Sequence, residues 1–204
     1  MITEVDEIKL ITHTPTSIDI KKKIGYFTPI ASTTIVIYVW SLPYLSTIGF
    51  SEPNSTSISG FIANAHATGA LAALSFRPLN LMWEYQNYMI RNIQNNTGKI
   101  ILGWTMASYQ FFYGGFLVCT VNYVPNWLHT CTVTLFIISF MFHSSMTLYY
   151  TTPNKIGQIE LIIGVLACMC LPFAKDLWFW GFECVGYSMM MLFTPTEILC
   201  LPSV

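Results

Sequence analysis

Six apolar runs divide this chain, and the few charges it carries fall almost wholly on one side of them. The runs are 24–42, 57–76, 100–121, 127–149, 158–173 and 177–193, most of them near the about 17–25 residues a helix needs to cross a bilayer. Lys9, Lys21, Lys22 and Lys23 precede the first run. Arg77, Arg91 and Lys99 lie between the second and third, and Lys155 between the fourth and fifth. Lys175 alone falls on the other side, so eight of the nine basic residues share one face. That is the positive-inside pattern, and it predicts cytosolic termini. The last two runs are short and are split only by Ala174-Lys175-Asp176. Fused, they would make five spans and put the C-terminus outside. Six is preferred, because Pro172 breaks a helix and the charges of Lys175 and Asp176 would be stranded in hydrocarbon.

Composition agrees. Charged residues make up 9% of the chain, against about 25% in soluble domains. So much apolar surface with so little charge excludes intrinsic disorder, and a net charge of −1 gives no reason to bind nucleic acid. The expected fold is an all-α polytopic transmembrane helix bundle over residues 24–195, between a cytosolic segment, 1–23, and a cytosolic tail, 196–204. The polar, partly acidic start (Glu4, Asp6, Glu7, Asp19) is unlike the short basic leader of a cleaved signal peptide, so the first run reads as a signal-anchor. Residues 80–94, with Trp83, Tyr85 and Tyr88, either continue the second helix or lie at the cytosolic interface.

The second run is rich in small residues. Ala65, Gly69 and Ala73 have the spacing that lets helices approach closely, which predicts a helix at the centre of the bundle. The six cysteines lack paired zinc-site spacing and read as small buried residues. Cys119 and Cys131 both fall near outward ends of adjacent spans, and Cys200 on the cytosolic side is a candidate for S-acylation. Asn54-Ser55-Thr56 is a glycosylation acceptor in the first outward loop. No metal or cofactor motif occurs.

Ionisable groups inside spans are costly and mark candidate sites. They are His66, His129, His143, Glu160 and Glu183, with Gln110 and Asn64 adding neutral polarity. Counting 1.5 Å per residue from the outer surface places His129 at about 3 Å, Glu183 at about 9 Å, His66 at about 14 Å and Gln110 at about 16 Å. Four helices thus bring polar groups to the outer half of the bilayer, with His66, His129 and Glu183 as acid/base or headgroup-holding candidates and Gln110 and Asn64 as lipid-binding ones. The plainer reading is an interhelical hydrogen-bond network that sets packing. His143 and Glu160 form a second, inner pair.

Pro43-Tyr44-Leu45-Ser46-Thr47-Ile48-Gly49 resembles the Pro-x-x-Ser…Gly outward loop of the Frag/DRAM/Sfk family. His66, His129 and Phe182-Glu183 are similar to its histidines and its closing acidic residue. The resemblance covers residues 24–195 and is nearest to the branch that remodels the lipid of GPI anchors. It implies six spans and a lipid-handling role in the endomembrane system (Golgi, ER or plasma membrane), with membrane lipids, GPI-anchored proteins or a larger membrane complex as partners. A non-catalytic lipid-binding subunit of a larger assembly is the alternative, since no nucleophile is paired with a base at helical spacing. No run contains the buried lysine that a retinal Schiff base needs.

Overall fold

A computed structural model describes residues 27–122, 124–151 and 154–199, all of their regular structure helical. The expected segment 1–23 and residues 200–204, Cys200 among them, lie outside the described residues. The elements are α1 (Phe27–Thr47), a four-residue α2 (Ile58–Phe61), α3 (Ala65–Asn92), α4 (Asn96–Val118), α5 (Asn126–Tyr150), α6 (Lys155–Cys170), a 3-10 turn (Leu171–Phe173) and α7 (Asp176–Leu199). Among the described residues, three segments are long and apolar enough to cross a membrane: Thr28–Thr47, Asn126–Tyr150 and Lys155–Phe173.

The first helix runs five residues past the expected end at Leu42, through Pro43 to Thr47. The Ser46 and Thr47 hydroxyls donate back to the Pro43 and Tyr44 carbonyls, both at 2.7 Å. Gly49, at φ +76°, then stops the helix: its amide reaches Ser46 O at 3.1 Å and that of Phe50 reaches Leu45 O at 3.0 Å. This is a Schellman closure, which needs the left-handed residue that glycine supplies most cheaply. Pro43 to Thr47 are therefore the last turn of α1 and not loop.

The chain then folds back into the bundle. Ser51 Oγ donates to Leu42 O at 2.8 Å, and α2, capped by Ser57 on the Gly60 amide at 2.9 Å, buries Ile58 and Phe61. Asn64 starts α3, its Oδ1 accepting the Ala67 amide at 2.8 Å and its Nδ2 donating to Phe50 O at 3.2 Å. The expected single helix from residue 57 is thus broken at Ile62–Asn64. Residues 80–92 continue α3, whose 28 residues make about 42 Å of helix, longer than the about 30 Å of a hydrocarbon core.

Two antiparallel hairpins complete the bundle. Across α4 and α5, Tyr150 packs on Gly98, Thr105 meets His143 and Phe116 faces Phe136. Across α6 and α7, Gly157 meets Glu197, Gly164 meets Met189 and Gly186 meets Cys168. The break at 171–175 that Pro172 imposes makes α6 and α7 separate packed helices. Helix α3 is not the small-residue centre the sequence predicts. Ala65, Gly69 and Ala73 are exposed, and nothing stands within 4 Å of a side chain built at Gly69. In this half of the helix the buried stripe is Ala67, Leu71 and Ser75.

Candidate functional site

Glu183 stands in the second turn of α7, and its Oε2 accepts the Ile58 amide at 2.6 Å. A carboxylate on the last helix thus satisfies an amide that α2 leaves open at its start. Beside it lies a pocket of about 50 Å³ lined by Ile58, Ser59, Phe116, Val133, Phe136, Ile137, Cys168, Leu171, Gly186, Tyr187 and Met190. Farther along the same helices is a second cavity of about 10 Å³, walled by Phe140, Met141, Glu160, Leu161, Gly164, Met189 and Phe193 and sharing Met190. Val133, Phe136, Ile137, Phe140 and Met141 recur at the three- and four-residue spacing of one helix face, so the two cavities are parts of one seam between α5 and the α6–α7 hairpin. Val133, Ile137, Leu161 and Leu171 are only partly buried, which brings the seam to the surface.

The other expected outer-site residues do not converge on Glu183. His66 is exposed in the first turn of α3, because the helix starts at Ala65 with Ala67 and Leu71 turned inward. His66 therefore does not join Glu183 in the one polar cluster that grouping by depth suggests. His129 is buried, and its Nδ1 donates to Cys119 O at 2.5 Å; Cys119 closes α4, so the ring binds a carbonyl at a helix end. Asn64 has both polar atoms engaged, Oδ1 on the start of α3 and Nδ2 on Phe50 O. Half-buried Gln110 makes one long bond, Nε2 to the Tyr109 hydroxyl at 3.4 Å. Among the described residues no three His, Cys, Asp or Glu side chains gather as metal ligands, and Cys119 and Cys131 are both free thiols. Asn54 is exposed on a left-handed turn, φ 58°.

The inner pair is also rearranged. His143, 1% exposed, shares a 2.8 Å hydrogen bond with Thr105 through Nδ1, and Glu160 Oε1 accepts from Thr196 at 2.7 Å. Each side chain takes its partner on a different helix, α4 for His143 and α7 for Glu160. The residue that joins Glu160 is one the sequence reading passed over. Glu197 is 5% exposed, sits against Gly157 and feels the charge of Glu160. It lies fourteen residues beyond Glu183 on α7, a spacing that returns to nearly the same helix face; that was the available signal. Glu197 lies past the apolar run that ends at Phe193, and burial pushes its carboxyl up to about 7. The folded chain then holds a proton that an unfolded one releases near 4.5, so stability should fall as pH rises from about 4.5 through 7. Thermal melts of the purified protein across that window should show the loss, and Glu197→Gln should flatten it; an unchanged slope in the variant would assign the titration elsewhere.

A third polar group sits at the centre. Tyr187 donates to the Tyr113 hydroxyl at 2.8 Å. Tyr113 donates to Ser75 Oγ at 2.6 Å, and Ser75 donates to Leu71 O at 2.6 Å. The direction of the chain follows from its end, a carbonyl that can only accept. Helices α7, α4 and α3 are joined by this relay of hydroxyls. No family model matches the chain, nor does any curated protein or solved structure.

Proposed function

We propose that the chain is an integral membrane protein of lipid handling in the endomembrane system, crossing the bilayer six times with both termini cytosolic. The reading takes up the resemblance to GPI-anchor lipid-remodelling factors, with membrane lipids, GPI-anchored proteins or a larger membrane complex as partners. The observation that carries it is the apolar seam between α5 and the α6–α7 hairpin, with Glu183 and Glu160 in its walls. Its surroundings support a lipid setting. Trp127, Phe173 and Trp178 are exposed toward one end of the bundle and Trp83 and Tyr149 toward the other, as in the aromatic belts of membrane proteins. From Trp127 to Tyr149 is about 33 Å of helix, close to the about 30 Å of a bilayer core.

One observation favours the non-catalytic alternative, a lipid-binding subunit of a larger assembly. General acid/base work needs a proton donor and acceptor within reach of one substrate atom. Here His66 faces outward, His129 is spent on Cys119 O, and Glu183 is held by the Ile58 amide. Mass spectrometry of lipid retained by the purified protein tests the common part of both readings; protein that emerges free of lipid would sink it.

The topology has its own test. A tag at either terminus should be protected from luminal protease in intact vesicles, as eight of nine basic residues on one side require. A C-terminal tag reached only from the lumen would establish five spans.

A further inference from the structure

The seam has a chemical polarity that narrows its occupant. Each carboxylate in its walls has one oxygen engaged: Glu183 Oε2 on the Ile58 amide and Glu160 Oε1 on the Thr196 hydroxyl. Glu160 Oε2 is buried without a hydrogen bond, and Glu183 Oε1 takes none from the described residues. Neither Lys nor Arg lines either cavity. Between the two carboxylates the walls are apolar and aromatic, and from Glu183 to Phe193 the seam follows about 15 Å of α7. Met190 is the one residue common to both cavities. Its unbranched side chain changes rotamer at little cost, and a change there would open one space to the other.

We propose that this seam binds a single-chain amphiphile whose head donates hydrogen bonds and carries no negative charge, a long-chain amine or alcohol. The head donates to Glu183 Oε1 and the chain runs past Met190 toward Phe193. A fatty acid or a phosphate-headed lipid would bury its anion beside an acidic side chain in an apolar wall that holds no Lys or Arg to pair with it, and is disfavoured. This deepens the lipid-handling reading and rests on it.

The test uses the full chain in phosphatidylcholine nanodiscs with three photoactivatable probes of equal chain length: a long-chain amine, the matching alcohol and the matching fatty acid. The amine and the alcohol should each label the α5 and α7 peptides around Phe140 and Met190, about tenfold more than the acid does. Glu183→Gln replaces the free acceptor oxygen with an amide donor, and should bring the three probes to within about twofold of one another. Met190→Trp, and independently Val133→Trp, should suppress labelling by filling the space. If the acid labels the wild type as well as the amine and alcohol do, the head preference is overturned while the lipid seam stands. If no probe labels these peptides, both the preference and a lipid-binding seam fall. Strong labelling by the amine alone would restrict the occupant to cations and overturn the alcohol.

Discussion

Replacing Tyr113 by alanine is expected to cost the bundle about 3–5 kcal/mol, the range for deleting a large buried aromatic side chain. Tyr113 is 1% exposed, and its ring meets Phe116, Phe136 and Tyr187 at centroid distances of 6.1, 5.1 and 6.5 Å. The cavity left behind would lie where α3, α4 and α7 meet, and a well-packed junction of three helices relaxes poorly. Tyr113→Phe separates ring from hydroxyl. It keeps the packing but leaves Tyr187 without its acceptor and Ser75 without its donor. About 1–2 kcal/mol is expected, toward the upper end of what single interhelical hydrogen bonds contribute in membranes. Unfolding midpoints of the two purified variants check both numbers. A Tyr113→Phe protein as stable as wild type would reduce the relay to a consequence of packing.

The relay shows what the sequence concealed. Ser75, Tyr113 and Tyr187 are neutral, and a search for ionisable groups at membrane depth passes over hydroxyls. Their meeting depends on which faces of three helices turn inward, and lipid gives little help there. In water, apolar periodicity points at the core. In a bilayer, tails are as apolar as leucine, so a small-residue face is free to lie on either side. Ala65, Gly69 and Ala73 are therefore compatible with close approach without requiring it, and they face out. His66 goes with them.

What was legible was whatever depends on local chemistry. The separate α6 and α7 follow from Pro172 and the charges after it, and the continuation of the second helix to Asn92 was one of two readings open for residues 80–94. The sequence places the end of α1 at Leu42, whereas the helix continues through Pro43 to Thr47 and Gly49 closes it. Likewise Asn64 read as membrane polarity, yet a preceding re-entrant turn makes it the cap of α3. For the site, the sequence singled out Glu183 as an acidic residue within an apolar run, and the structure sets it in a pocket wall, but its partner came from the backbone at the start of α2, more than a hundred residues away. Backbone amides are present at every position but proline and leave no mark in a sequence.

The second large effect is therefore expected at Glu183. Glu183→Leu removes the acceptor of the Ile58 amide and puts an apolar side chain against the start of α2. An unsatisfied buried amide costs about 1–3 kcal/mol. The loss should spread, because α2 places Ile58 and Phe61 in the core and Phe61 packs edge-on against Trp180 at 6.5 Å. Limited proteolysis should then open the segment between α1 and α3, a region closed in the wild type by Ser51 on Leu42 O and Glu52 on Phe61 O. Glu183→Gln keeps an oxygen for Ile58 and nearly the same volume, so the loop should stay closed and the unfolding midpoint should move little. The pair of variants then separates structure from chemistry. A lipid-converting enzyme would lose turnover in Glu183→Gln with abundance unchanged, while an accessory subunit would keep its abundance and its partners. A Glu183→Leu protein with a wild-type midpoint and a closed loop would show that the Ile58 tie contributes nothing to the fold, and would leave Glu183 to whatever the seam binds.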